Sequence, residues 1–491
     1  MSAEVLVVPA FGQGHLFPCI ELCKLIATHS YKTTLVIFSS LSSSVPSAFR
    51  ENPLLHILEI PSPSGSVPIP MHADSRKQMH LCLENLLSNR SQNPKLPICA
   101  IVDVLVVMSW SADIFKKFHV PTIGFFTSGA CSAAMEYAAW KGHLQIQHIK
   151  PGEIRFLPGL PEGMGLTVSD LKRRPHGHGP PPPGLVGPLG GPSQSKPKIM
   201  GPPAPGEQPP WVDDAEDSIA WMINTCDDLE RPFIDYLADK VKKPIWGVGP
   251  LFAEEYWKSA GALVHDSKMR TIRLANITEE SVIRWLDSKA RGSVLYVSFG
   301  SSVDITKEEY PQLADALEAS THPFIWVLRP DAGRAGPPRG QSDSNNPEEG
   351  YYPHGLSEKV GERGLIICGW APQLLILSHP STGGFLSHCG WNSTMEGLGR
   401  GVPFLTWPLR GDQYYDAKLI VSHLKVGYSV CDDCLEKVKK DDIMKGIDKV
   451  MGDSEMKKRA KEIGAKFDKG FPATSLAALD AFSDFIKQTV A

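Results

Sequence analysis

The sequence predicts an α/β fold with two doubly wound, Rossmann-like parallel-sheet domains. Short runs rich in Val, Ile, Leu and Phe alternate with helix-patterned segments nearly throughout, the rhythm of βαβ units. The 491 residues exceed one ordinary core, since a domain usually holds roughly 100–200 residues. A Gly/Pro-punctuated stretch, Trp246-Gly-Val-Gly-Pro250, falls near the middle and reads as a hinge.

In the first half, Val5–Pro9 reads as a buried strand and Leu16–Ala27 as a helix with one apolar face. Thr33–Phe38 and Ile98–Asp103 are further strands, and Ser111–Phe118 is a helix between strands. The second half is more regular. Ser293–Phe299 is a strand, Glu308–Ala319 a helix and Pro323–Leu328 a strand; Gly364–Cys368, Gly383–Ser387 and Val402–Trp407 are three more strands. Two segments break the alternation. Lys172–Pro210 is crowded with Pro and Gly, including Pro180–Pro183, and is expected to be a mobile loop. Pro330–Tyr351 is a second polar loop. No internal repeat is present.

Composition narrows the function. Hydrophobic content is 42% and charged content 21%, with 50 basic against 54 acidic side chains and a net charge of −4. A broad nucleic-acid surface calls for a basic excess, so no nucleic-acid partner is expected. No apolar run approaches the roughly 20 residues that cross a bilayer, and the N-terminus lacks the basic region of a signal peptide. The ten cysteines are scattered without framework spacing, which fits reduced thiols in a cytoplasmic protein. Neither the lone Cys431–Cys434 pair nor His176 with His178 is expected to hold a metal.

The stretch Gly383-Gly-Phe-Leu-Ser-His388-Cys-Gly-Trp391-Asn392-Ser393-Thr394-Met-Glu396 combines a strand, a tight turn and a helix start. Free N–H groups and the macrodipole make such a helix end an anion site. Ser393 and Thr394 add hydroxyls, His388 an imidazole N–H, and Glu396 suits the vicinal hydroxyls of a ribose. Taken alone, this is also what an ordinary βα turn looks like.

Near the N-terminus, Phe11-Gly12-Gln13-Gly14-His15 follows the first strand. A dinucleotide fingerprint would need a third glycine where Phe17 stands, which disfavours a nicotinamide-dependent oxidoreductase. The glycines place His15 at a helix start, where the positive helix end is expected to lower the imidazole pKa and keep it neutral, as a general base requires. Asp103 ends a strand at the same edge of the sheet. There it is placed to bond one His15 nitrogen and fix its tautomer. On these residues alone, a structural helix-start histidine and a capping aspartate remain the plainer readings.

From Trp370-Ala-Pro-Gln373 through Asp412-Gln413, the sequence resembles the donor-binding signature of plant family-1 UDP-dependent glycosyltransferases. The likeness extends to Trp285-Leu-Asp-Ser, to Ser293 through Ser301, to Phe156–Pro161 and to Trp246–Pro250, so it spans essentially the whole chain. It implies the GT-B architecture, with the two domains facing a central cleft. Residues 1–250 would bind the acceptor and 251–470 the UDP-sugar, and 471–491 would form a helix packing back on the first domain. Trp370 would stack on uracil, and Gln373 would contact the base or ribose. Glu396 would take the ribose hydroxyls. His388, Asn392, Ser393 and Ser301 would hold the diphosphate. Trp391, Asp412 and Gln413 would read the sugar, and Thr127 would also touch it. Gln413 goes with glucose in this family and His with galactose, so UDP-glucose is the expected co-substrate.

The resemblance also makes His15 and Asp103 the catalytic pair of an inverting transfer that yields a β-glycoside. No Asp-x-Asp triplet occurs, in keeping with metal-free chemistry, and no cofactor is expected. The acceptor is read as a small phenolic or flavonoid-like molecule, with Phe11, Phe17, Met135, Tyr137 and Trp140 as candidate walls. Transfer to a ring carbon instead of an oxygen stays open, as does a non-catalytic UDP-sugar sensor. The enzyme is expected to act as a monomer.

Overall fold

The computed structural model describes residues 3–10, 12–61, 73–91, 97–104, 108–172, 205–266, 275–301, 303–329, 332, 350–433 and 436–490. The expected loops at 172–210 and 330–351 fall almost wholly outside these residues, as do Phe11, the His176 and His178 pair and Cys434.

The strands of the first sheet are β1 (Glu4–Val8), β2 (Lys32–Phe38), β3 (Leu55–Ile60), β4 (Cys99–Asp103), β5 (Thr122–Phe126), β6 (Ala220–Ile223) and β7 (Ile245–Gly247). Their spatial order is β3-β2-β1-β4-β5-β6-β7. The second sheet holds β8 (Val294–Ser298), β9 (Phe324–Leu328), β10 (Gly364–Cys368), β11 (Thr382–Ser387), β12 (Phe404–Thr406) and β13 (Gly427–Ser429), ordered β10-β9-β8-β11-β12-β13. Every strand pairing in both sheets is parallel. Both sheets therefore run outward from their first strand in two directions, the doubly wound arrangement. In such sheets ligands bind beyond the strand C-termini where the order reverses. That point lies between β1 and β4 in one sheet and between β8 and β11 in the other.

The strands read as apolar runs because both faces of each sheet are covered. In β1, Val5 and Val7 enter one buried cluster while Leu6 and Val8 enter another. In β8, Leu295 and Val297 face one cluster and Val294 and Tyr296 the other. The Leu6 and Tyr296 faces belong to a single continuous cluster, so apolar packing runs between the two halves.

Five strands were not among those read from the sequence: β3, β5, β6, β7 and β13. Three of these strands have four residues or fewer, too short for periodicity to register. The edge strand β3 carries exposed His56 and Glu59, and β5 carries Gly124 at its centre. The expected hinge at Trp246 begins inside the edge strand β7.

The last helix, Ala473–Val490, packs on the edge of the first sheet. Leu479, Phe482 and Ile486 are buried at helical spacing. Phe482 meets Tyr31 and Trp246, with ring centroids 6.4 and 5.9 Å apart, and Ser475 donates to the Gly249 carbonyl. Phe482→Ala is expected to destabilise the protein by about 3–5 kcal/mol, through lost transfer energy and the cavity left behind. Denaturant unfolding reads this directly, and an unchanged midpoint would show that the helix contributes little to stability.

Candidate functional site

His15 is the third residue of the helix Gln13–Thr28, which follows β1 through Gly12 at φ +104°. Asp103 is the last residue of β4. The reversal of strand order brings them together. His15 Nδ1 lies 2.8 Å from Asp103 Oδ2 and 2.9 Å from Thr127 Oγ1. The Asp103 carboxyl is fully buried, while the His15 side chain is 26% exposed. The Ala10 amide donates to the same Oδ2 at 3.3 Å. A carboxylate can only accept, so Nδ1 carries the proton and donates it. Nε2 is then left with a lone pair, the form a general base needs.

The charge balance at His15 differs from the expectation. Burial lowers its pKa, but the Asp103 charge and hydrogen bond, with Asp412 adding to them, outweigh burial and raise it above the usual 6.5. The helix end does not set the direction; the carboxylates do. The interaction runs both ways. Burial raises the Asp412 pKa, and His15 pulls it back down. Asp412 belongs to the second half of the chain, so its charge is felt at His15 from the opposite domain. Thr127 adds to the expectation. Its buried hydroxyl contacts the imidazole, which gives it a role beside the histidine that the sequence did not suggest.

The second reversal point holds the signature residues. β11 ends at Ser387, His388 follows, and the helix Trp391–Gly399 begins after Cys389 and Gly390. Trp391, Asn392 and Ser393 fill its first three positions, whose amides have no partner within the helix. His388 is buried between two glycines. A Cβ at Gly300 or Gly390 would lie 2.7 or 2.6 Å from its ring, so glycine alone keeps this space open. Burial, then Arg329 and Arg410, lower the His388 pKa to about 4. It is therefore neutral at pH 7 and presents one N–H donor. Both arginines are close enough to act on His388, and Arg329 is itself paired with Asp304 at 2.9 Å. Ser301 is exposed in the turn after β8, and its carbonyl accepts from Arg329 at 3.1 Å. Thr394 is fully buried, so its hydroxyl is not part of the exposed helix end as expected.

Trp370 is half-buried just beyond β10. Three residues on, Gln373 opens the helix Gln373–Ser378. Its amide is fixed by three bonds. Tyr296 Oη donates to Oε1 at 3.0 Å, while Nε2 donates to Ser393 Oγ at 3.0 Å and to Glu396 Oε2 at 2.6 Å. Gln373, Ser393 and Glu396 are thus bonded into one ordered polar wall, which Trp370 precedes by three residues in the chain. An aromatic face suits a base and a polar wall suits a ribose; Glu396 itself is 1% exposed, with its carboxylate accepting from Gln373. Tyr296 was not read from the sequence, because an apolar strand conceals one polar tip.

Two further expectations change. The Trp391 indole N–H donates to the Asn224 carbonyl at 2.7 Å, and the side chain is 4% exposed. It fastens the helix to the other half and is not available for sugar hydroxyls; only the Trp391 main chain reaches the helix end. Gln413, also buried, accepts at Oε1 from the Leu409 and Arg410 amides, both at 3.0 Å. A carboxamide oxygen has two lone pairs, so Gln413 shapes its own loop and has only N–H to offer a sugar. Asn392 also bridges the halves, donating to the Gly14 carbonyl at 3.2 Å. Pro18 lacks the N–H that would otherwise serve that carbonyl.

Of the expected acceptor walls, Met135 and Tyr137 are core residues, and Tyr137 packs with Trp140 and Trp211. Phe17 and Trp140 are partly buried against the core. Among the described residues, no group of three or more His, Cys, Asp or Glu could hold a metal ion, and no helix is long and apolar enough to cross a membrane.

Two doubly wound parallel-sheet halves, one carrying the His15–Asp103 pair and the other the bonded set Gln373, Ser393 and Glu396, fit the architecture of a nucleotide-sugar transferase. Comparison with known proteins agrees. A model of the family described as UDP-glucoronosyl and UDP-glucosyl transferase matches residues 275–470. UDP-glycosyltransferase 73C3 of Arabidopsis thaliana is 30% identical over 496 residues, covering 94% of this chain and 91% of its own. UDP-glucosyl transferase 73CC6 of Saponaria officinalis is 29% identical over 495 residues, covering 95% and 92%. Among solved structures, Phytolacca americana UGT2 complexed with UDP-2fluoro-glucose and pterostilbene aligns over 99% of both chains, with a TM-score of 0.71 and 23% identity. The chain belongs to the plant family-1 UDP-glycosyltransferases, enzymes of the GT-B fold.

Proposed function

We propose that this enzyme transfers glucose from UDP-glucose to a hydroxyl of a small phenolic, flavonoid-like acceptor, with inversion at the anomeric carbon. The observation that carries the reading is the 2.8 Å His15–Asp103 pair, whose charge balance includes Asp412 of the opposite half. His15 Nε2 removes the acceptor proton. The acceptor oxygen bonds to the anomeric carbon, and the bond from that carbon to the UDP oxygen breaks on the far side. The electron pair leaves with UDP. Asp103 stabilises the imidazolium formed, and Thr127 steadies the ring.

In this reading residues 1–250 hold the acceptor, 251–470 hold the donor, and 471–491 return to the first domain. Trp370 stacks on uracil, with Gln373 and Glu396 at the ribose. The diphosphate sits on the first turn of Trp391–Gly399, with Asn392, Ser393, His388 and Ser301 around it, where preorganised dipoles meet the charge developing on UDP. Asp412 and the Gln413 amide address the sugar. Support for glucose comes from the glucosyl name of the Saponaria relative and from the UDP-2fluoro-glucose bound to Phytolacca UGT2. Support for a phenol comes from the pterostilbene in that same complex.

Gln413→His is expected to shift the UDP-glucose to UDP-galactose ratio toward galactose by about tenfold, the worth of roughly one net hydrogen bond. A neutral imidazole has one acceptor nitrogen and cannot hold both loop amides. Competition assays with both donors read the ratio, and an unchanged value removes Gln413 from sugar choice. The reading as a whole is tested by mass spectrometry of products from a phenolic library with UDP-glucose, followed by acid hydrolysis. Acid-labile hexosides are expected. Acid-stable products indicate transfer to carbon, and no product from any phenol overturns the acceptor class.

A further inference from the structure

Asn224 follows β6 and is 3% exposed. It lies in neither the donor wall nor the catalytic pair, yet it bonds to the tryptophan that opens the donor helix and to the threonine beside His15. Its carbonyl accepts from the Trp391 indole at 2.7 Å. Its Nδ2 donates to the Thr127 carbonyl at 3.1 Å, and its Oδ1 accepts from the Leu251 amide at 2.8 Å. Its own amide donates to the Phe126 carbonyl at 2.9 Å. Thr127 in turn holds His15 Nδ1 at 2.9 Å. One buried residue therefore joins the donor helix, the chain crossing after Pro250 and the threonine beside the base.

The surroundings are shaped to keep these bonds. Trp391 seats over Gly129, where a Cβ would lie 2.5 Å from its ring. A buried donor or acceptor that loses its partner is destabilised by the full desolvation of that group, so none of the four bonds is readily given up. Movement of Trp391 is thus carried to the Asn224 backbone and, through its amide, to the main chain of Thr127.

We propose that Asn224 is a positioning residue that couples docking of the donor helix to the placement of His15. The proposal rests on the reading of His15 as the base. Asn224 touches no substrate in this account; it acts through Trp391 on one side and Thr127 on the other. Its consequence is a defect in kcat with no matching loss of UDP affinity, because the base wall at Trp370, Gln373 and Glu396 is left intact.

The test is a double-mutant cycle on kcat, with UDP affinity and melting temperature measured for each variant. Asn224→Ala is expected to lower kcat roughly 100-fold, as small misplacements of catalytic groups do, with UDP affinity unchanged. In a Thr127→Val background the same substitution is expected to cost far less, since the hydroxyl it positions is already gone. Parental kcat per folded molecule, or losses that multiply independently, overturn the coupling. Should Asn224→Ala fail to fold, Trp391→Phe serves, because it removes the indole N–H that reaches the Asn224 carbonyl, together with part of the ring over Gly129, and leaves Asn224 in place. Trp391→Phe and Thr127→Val are then expected to combine less than multiplicatively, and full multiplication contradicts the proposal. His15→Ala measured alongside tells the two failures apart: turnover surviving there overturns the base assignment itself.

Discussion

His15→Ala is expected to lower turnover by about 10²–10⁴-fold, the usual contribution of a positioned general base, while UDP binding stays near the parent's. The two halves divide the labour. The base wall at Trp370, Gln373 and Glu396 and the helix Trp391–Gly399 belong to the second sheet. His15 stands on the first, bonded to Asp103 and Thr127. Removing the imidazole leaves the nucleotide contacts in place and takes away the acceptor's proton sink. Initial rates of UDP release, with a separate UDP titration, measure the two effects. Near-parental turnover would remove His15 from the chemistry.

Asp103→Asn is expected to lower kcat/KM by up to about 10⁴-fold and to move its acid limb to lower pH. The direction follows from the charges. A general base works when neutral, so kcat/KM falls as pH drops through the His15 pKa. In the parent, Asp103 and Asp412 hold that pKa above the usual 6.5 against the lowering effect of burial. The acid limb of the parent therefore lies above pH 6.5. Asparagine removes the larger of the two raising charges and leaves burial unopposed except by Asp412. Its side-chain amide also donates to Nδ1, which favours the tautomer with a proton on Nε2, the wrong nitrogen for the reaction. The same pair makes a stability contribution: a raised histidine pKa stabilises the fold below pH 6.5, and this is lost as pH rises through the folded value. A pH–rate profile of Asp103→Asn with an unshifted acid limb would show that the carboxylate does not tune His15.

Much of the donor side was legible in the sequence because it is nearly contiguous. Trp370 through Gln413 carries its own strand, turn and helix signals, and the fold brings Gln373, Ser393 and Glu396 into direct contact. The pairing of His15 with Asp103 was legible for a different reason. Two strands of one doubly wound sheet end at the same edge, whatever their separation in sequence. What could not be read was the set of contacts between the halves. Trp391 bonding to Asn224, Asn392 bonding to Gly14 and the influence of Asp412 on His15 join residues far apart in the chain. No local periodicity encodes them. The His15 pKa runs opposite to the helix-end expectation chiefly because of Asp103, whose charge and hydrogen bond outweigh burial; Asp412 of the other half adds to them. Asn224 left one faint trace, a polar residue directly after the apolar run Ala220–Ile223.

The central claim is displacement at the anomeric carbon by an acceptor oxygen that His15 activates from the face opposite UDP. The anomeric configuration of the product, read by proton NMR after transfer from α-linked UDP-glucose to a simple phenol, tests it most directly. The account predicts a β-glucoside, formed by the parent and lost in His15→Ala. An α-glucoside would contradict it, because a single displacement on the face opposite UDP must invert an α-linked anomeric carbon.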